Sequence, residues 1–380
     1  MDFSLHQRAV ASFAQRPGAA AGQDEMDSGE YVFEVTPLLG ASQLALSLSD
    51  NSLSLSDSST LMCVAKVAAH TSTINRIEAS AMSPHLLSAA SDDQTVSIWD
   101  ARSFTQPVMR VRVGGEVSAL SMGVEGTVLA AASEASIYFF DVRSLSTGAV
   151  AGAGSKRLGS YSEVHSDTIT QLRFHPTHQS ALTSASEDGL VCSYDTSAVN
   201  EEEALGSVLN TECAVARFGF FGEAMEGLYT LSTVETMSVW HQPSAQRVAL
   251  FPDVRKQLGV DYLVDCVGVG SELYLVAGDH AGKGVVAQVE PGNLTRVGGL
   301  TEGHGATIRC CVAYPGSGLV GLGGLRLFTG GEDSRLCSWG AGTRGGGATA
   351  GAPVIGSASK AGGGAMKARG AGSNVRYKPY

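Results

Sequence analysis

His165, Ser184 and Asp188 are the residues of this sequence whose types most invite a chemical reading. An imidazole, a hydroxyl and a carboxylate are the parts of a nucleophilic triad. Similar sets recur: His304, Thr329 and Asp333 repeat the types, and His70 with Asp93 repeats two of them. In that last set Ala89 stands where Ser or Thr is expected, and Ser88 is one residue off, on the other face of a strand. The network is therefore expected to be broken there. An aromatic follows each Asp by six residues: Trp99, Tyr194 and Trp339. The His-to-Asp gap is 23 residues in the first two sets and 29 in the third, with the excess in the Gly-rich run 315–325. A catalytic centre has no reason to recur once per repeat. The set reads instead as a structural unit, with no catalytic residue assigned and no enzymatic activity expected.

A phrase repeated at long range fixes the kind of elements that carry it. SDDQTVSIWD (91–100), SEDGLVCSYD (186–195) and GEDSRLCSWG (331–340) each place a turn before a short strand. In 94–100, Thr95, Ser97 and Trp99 face one way and Val96 and Ile98 the other. Both faces can pack, which suits a sheet held between two others. Such a pattern marks a WD-repeat β-propeller, one four-stranded blade per repeat. Degenerate copies follow the same phase, with Ser56, Phe140 and Trp240 at the aromatic position. The gap of 99 residues from Trp240 to Trp339 leaves room for two repeats of about 40–50 residues. The expectation is an all-β propeller of seven blades over 31–340. Outer strands are expected near 61–67, 107–113, 203–209, 246–251 and 294–300, and 31–39 as the innermost strand of blade one. Residues 1–30 are expected to be a disordered extension, and 341–380 a disordered Gly-rich basic tail. Ring closure is open at this stage, with 5–13 the best N-terminal candidate for the missing strand.

The chain carries a net charge of −11, which argues against general affinity for nucleic acid or an anionic membrane. Residues 341–380 hold six basic side chains and no acid, so the rest of the chain stands at −17. The tail reads first as a solvated appendage and second as a contact for RNA or an acidic partner. Seven cysteines without a CxxC, several inside strand-like runs, read as small apolar residues in a reducing compartment rather than as disulfides or zinc ligands. No metal or cofactor is expected, and no run reaches transmembrane length. Arg8 and Arg16 lend the N-terminus a faint transit-peptide character that Asp2, Asp24, Glu25, Asp27 and Glu30 offset. His175 and His178 (HPTH), and His280 in GDHAGKG, read as turn residues.

IWDAR (98–102), YFFDVRS (138–144), SYSEVHSDTITQLRFHP (160–176), SASEDGLVCSYDTSAVNEEEAL (184–205), LTEGHGATIRCCVAY (300–314) and LFTGGEDSRLCSW (327–339) together resemble the WD repeat-containing protein 89 family of eukaryotic WD40 propellers. The resemblance covers about 31–340. It implies that the repeated residues form a hydrogen-bond network in which Trp donates to Ser or Thr, which bonds His, which bonds Asp. It implies no established reaction or partner. The function expected is a protein-interaction scaffold, a monomer within a larger complex, in nucleus or cytoplasm. The alternative is a substrate receptor of a cullin-4-type ubiquitin ligase, with Arg102 and Arg143 after WD-x-type endings touching the adaptor. Ser166 and Asp167, beside His165, are further partner-binding candidates on the loop rim.

Overall fold

The computed structural model describes residues 5–12, 30–123, 125–144, 150–151, 157–315 and 325–341. They form seven antiparallel sheets, each with four strands in sequence order from the inside outward, except where the chain closes on itself. The innermost strands are Val32–Leu38, Ile74–Ala79, Ala119–Met122, Ile169–Phe174, Val215–Phe221, Tyr262–Val269 and Ile308–Pro315. Among the described residues, no helix is long and apolar enough to cross a membrane.

Alternation along each strand explains the ring. In blade two, Leu87, Ala89 and Trp99 pack with Leu38, Ala45 and Leu53 of blade one. Ala90, Val96 and Ile98 point the other way and pack with Leu120, Leu129 and Phe140 of blade three. Five further apolar layers separate the remaining blades, and the last sets Cys310, Phe328 and Leu336 of blade seven against Val32, Leu44 and Leu46 of blade one. No sheet has a solvated face, so every blade needs both neighbours.

Closure comes from the N-terminus. Leu5–Ser12 pairs antiparallel with Arg335–Ala341, with Gln7 opposite Trp339, Ser12 opposite Arg335, and a bulge between Gln7 and Ala9. The boundary at residue 31 therefore has to move. A strand inside 1–30 completes blade seven, because its third strand would otherwise present an unpaired edge. The expected tail lies outside the described residues beyond 341. The chain also adds Val150–Ala151 as a fifth strand to blade two, parallel to Arg110–Val111.

Two local devices repeat around the ring. The turn between second and third strands holds one residue in the left-handed region in all seven blades: Asn51, Gln94, Glu134, Gly189, Glu235, Gly282 and Ser334. Where Asp precedes that residue, its carboxylate accepts the N–H two positions on, from Ser52, Thr95, Leu190 or Arg335, at 2.8–3.2 Å. A short acceptor that closes its own turn explains the Asp of the repeated phrase. The second device is a one-residue bulge near the start of six inner strands, at Val32/Glu34, Ile74/Arg76, Ile169/Gln171, Val215/Arg217, Leu263/Asp265 and Ile308/Cys310. The bulge resets the phase of the inner strand, and Glu34, Arg76, Arg217, Asp265 and Cys310, each just after one, line the central cavity.

Candidate functional site

The three repeated sets assemble as side-chain chains across their blades. In blade seven, the Trp339 indole N–H donates to Thr329 Oγ1 at 2.8 Å, and Thr329 Oγ1 lies 2.7 Å from His304 Nε2. His304 Nδ1 lies 3.0 Å from Asp333. A carboxylate only accepts, so Nδ1 carries the proton and Nε2 accepts from the Thr329 hydroxyl. In blade four, His165 lies 2.6 Å from Ser184 Oγ and 2.9 Å from Asp188, and the Tyr194 phenol is in hydrogen-bond range of Ser184 and Cys192.

Blade two corrects the expectation of a broken link. His70 Nε2 lies 2.6 Å from Ser97 Oγ, and the Trp99 indole N–H donates to the same oxygen at 2.8 Å. Ser97 sits on the third strand, directly opposite Ala89 on the second. The hydroxyl has moved across the ladder without leaving its place in space. Blade five shows the contrary case. Thr230 and Trp240 occupy the corresponding positions, no histidine joins them, and the Trp240 indole N–H has no partner among the described residues.

Burial decides what these sets can do. Ser97, Ser184 and Thr329 are fully buried, so their hydroxyls present no nucleophile to a solvent-borne substrate. Each Asp carboxylate also accepts a backbone N–H from the loop that enters its blade: Thr71, Ser166 or Gly305. Burial raises the Asp93 pKa, but the Thr95 hydroxyl, His70 and the Thr71 N–H outweigh it and hold the carboxyl below its ordinary range. Burial pushes His70 down against the pull of Asp93, which favours a neutral imidazole. The arrangement ties an entering loop, a turn and two strands together.

The partner-binding candidates fall into two places that the structure does not bring together. Ser166 and Asp167 are exposed on the loop entering blade four. Arg102 and Arg143 lie at the opposite strand ends, on the turns between third and fourth strands of blades two and three. Arg102 is 64% exposed and donates to Asp100 through Nε and Nη at 2.6–3.2 Å. Arg143 is 72% exposed and pairs with Asp141 at 3.2 Å. Each caps its own turn and still presents an open guanidinium face.

The sequence reading missed the central channel. A cavity of about 370 Å³ opens among the inner strands, lined by Glu34, Arg76, Glu78, Arg173, Arg217 and Asp265, with apolar side chains at one end. Polar side chains of the inner strands, Glu34 and Glu78 of the cavity lining among them, cap the inner edge of the next blade. Glu34 accepts the Ile77 N–H, Glu78 the Met122 N–H, Ser121 the Phe174 N–H and Gln171 the Phe218 N–H. Blades one to four thus each hold the innermost strand of their successor. Glu34 is also paired with Arg76. Tyr229 donates to Asp265 at 2.7 Å, and Arg217 stands 3.7 Å from the same carboxylate. Burial lifts the Glu78 pKa to about 7, against the opposing effects of Arg76, the Met122 N–H, Arg173 and the Ser121 hydroxyl. The available signal was an ionisable residue recurring two or four places after the first apolar residue of an inner strand, as in INRIE (74–78) and ITQLR (169–173).

His175 and His178 meet beside this cavity. Their Nδ1 atoms are 3.0 Å apart, and His175 Nε2 donates to the Met225 carbonyl at 3.2 Å. The buried His175 therefore joins the first turn of blade four to that of blade five, more than the local turn role expected of it. No group of three His, Cys, Asp or Glu side chains converges among the described residues.

Comparison with known proteins gives consistent matches. The family model described as WD domain, G-beta repeat matches residues 61–100 and 156–195. The chain is 33% identical over 329 residues to WD repeat-containing protein GTS1 of Arabidopsis thaliana, covering 82% of this chain and 81% of that protein. It is 29% identical over 290 residues to a WD repeat-containing protein 89 homolog of Dictyostelium discoideum, covering 73% and 76%. An uncharacterized WD repeat-containing protein of Saccharomyces cerevisiae is 28% identical over 237 residues, 58% of this chain and 57% of the other.

Proposed function

The chain belongs to the WD-repeat family, and on that premise we propose that it is a non-enzymatic scaffold that holds segments of partner proteins on preformed surfaces. Membership of the family supports a protein-interaction role in general. The observation that carries the reading for this chain is the closed ring, in which seven apolar layers lock every blade between two others. A body fixed in this way offers its loops and channel with little backbone change on binding. The repeated Ser–His–Asp sets are buried and occupied with one another, which favours binding over catalysis. On this reading the protein works as a monomer within a larger complex, in nucleus or cytosol, and its seven cysteines, all unpaired, suit a reducing compartment.

Affinity purification of the full chain and of a 1–341 truncation, followed by mass spectrometry, tests the proposal. Recovery of the same specific partners by both puts the interaction on the propeller. Recovery of none by either removes the scaffold reading, and loss confined to the truncation moves binding to the tail. The cullin-4 adaptor reading draws on the exposed guanidiniums of Arg102 and Arg143 on corresponding turns of adjacent blades. It requires an adaptor that co-purifies with the wild type and is lost from the double variant Arg102→Ala, Arg143→Ala.

A further inference from the structure

The channel's carboxylates are all engaged, and of its cations Arg76 is paired while Arg173 and Arg217 have no hydrogen bond among the described residues. Glu34 gives one oxygen to Arg76 and the other to the Ile77 N–H. Glu78 gives one to the Ser121 hydroxyl and the other to the Met122 N–H. Asp265 accepts from the Tyr229 phenol and the Cys266 N–H. Arg173, by contrast, acts on Glu78 and Tyr229 only through space, and the structure gives it no hydrogen bond or ion pair among the described residues. Arg217, on the next inner strand, has its one carboxylate at 3.7 Å, beyond hydrogen-bond reach. Two guanidiniums on adjacent blades thus face one cavity with most of their donors unused.

An arginine pair with free donors fits an anion, and its planar forks fit a carboxylate in particular. The shape of the mouth narrows the class further. Phe174, Pro176, Phe220 and Met225 line the end nearest the first turns of blades four and five. Pro176 is exposed, and Phe220 and Met225 are half-buried, so this apolar collar meets solvent. A volume of about 370 Å³ admits one or two side chains and no folded element.

We infer that this mouth of the channel is a docking site for an acidic peptide segment, in which one Asp or Glu side chain reaches Arg173 and Arg217 and a flanking apolar residue rests on the collar. The inference deepens the scaffold reading and rests on it, since it names the kind of partner segment the scaffold would hold. Arg173 is the primary receptor and Arg217 the second donor. Cationic segments are disfavoured, because each carboxylate they could reach already serves the protein.

Fluorescence anisotropy on the full chain provides the test. The probes are a labelled hexapeptide of alternating phenylalanine and aspartate, its asparagine counterpart, and inorganic phosphate as competitor. The acidic peptide is expected to bind at least about tenfold more tightly than the amide, and to weaken about tenfold in Arg173→Gln. Lys256→Ala, exposed and outside the channel, leaves affinity unchanged, and an unaltered melting temperature of Arg173→Gln excludes misfolding as the cause. Equal affinity for the two peptides, or full affinity in Arg173→Gln, overturns the inference. So does phosphate that quenches intrinsic fluorescence saturably while neither peptide binds, which would make the cavity a small-anion site. Affinity capture with wild type and Arg173→Gln separates the two levels. Partners retained unchanged by the variant sink the channel site and leave the scaffold standing. Peptide binding without any captured partner supports the site and sinks the scaffold.

Discussion

Ser97 shows that the hydrogen-bond set of a blade is defined by where an oxygen sits, not by which strand supplies it. Its hydroxyl serves both His70 and Trp99 from the position facing Ala89. Ser97→Ala would leave a buried imidazole nitrogen and a buried indole N–H without partners, at about 2–4 kcal/mol. His304→Ala should cost a similar amount in blade seven, while His280→Ala, at an exposed turn, should change stability by less than about 0.5 kcal/mol. Urea titrations of the three variants check this, and equal midpoints for His304→Ala and His280→Ala would remove the structural role of the set. Glu78 allows a pH test. Its folded pKa is raised from 4.5 to about 7 by burial, with Arg76, Arg173, Ser121 and Met122 facing it. Between those values the folded chain keeps a proton that the unfolded chain has released, so stability falls as pH rises through that window. Glu78 is only half-buried, which moderates the effect and leaves roughly 1–3 kcal/mol. Glu78→Gln keeps an acceptor for the Met122 N–H and should be more stable than wild type at pH 8 and nearly equal at pH 5. A decline with pH as steep in the variant as in the wild type would place the proton elsewhere.

At the scale of strands and turns, the repeated phrase was legible because its chemistry is local. Asp93, Asp188 and Asp333 each close a turn two residues ahead of themselves, and their aromatics follow at fixed spacing on the next strand. The substitution of Ser97 for residue 89 was not legible. Two residues eight apart in sequence become neighbours only once the ladder register is known. The channel side chains escaped for a related reason. An inner-strand bulge shifts the period-two pattern, so Arg76, Arg217 and Asp265 change face relative to a simple alternation. The left-handed turn position is a further handle. Gln94 adopts φ +70° there, where blade four uses Gly189. Gln94→Gly should relieve the side-chain clash and stabilise by about 0.5 kcal/mol, net of the entropy glycine adds to the unfolded chain. Thermal melts resolve the sign, and a lower midpoint would mean that the Gln94 side chain contributes contacts of its own.

The whole molecule is held by its weakest join. Val150–Ala151 only adds a fifth strand to blade two, whereas blade seven takes one of its four strands, Leu5–Ser12, from more than 300 residues away. That pairing was open in the sequence because nothing local at residues 5–12 names a partner more than 300 residues away. Deleting residues 1–12 should strip the outer edge from Arg335–Ala341 and loosen the layer between blades seven and one, where Val32 meets Phe328 and Leu336. The expected result is a melting temperature lower by about 5 °C or more, together with faster proteolysis in blade seven than elsewhere. Uniform proteolysis along the chain would show that the closing strand adds little.

The join also sets a timetable for biosynthesis. Leu5–Ser12 leaves the ribosome long before the strand it pairs with, so it has no sheet partner until Arg335–Ala341 has emerged. At common elongation rates that wait is on the order of tens of seconds. During it blade one can stack on blade two, but its other face, with Val32, Leu44 and Leu46, has no neighbour. The nascent protein is therefore an open arc with an adhesive end. Moving residues 5–12 behind residue 341 in a circular permutant would let the closing strand arrive beside its partner and shorten that exposure.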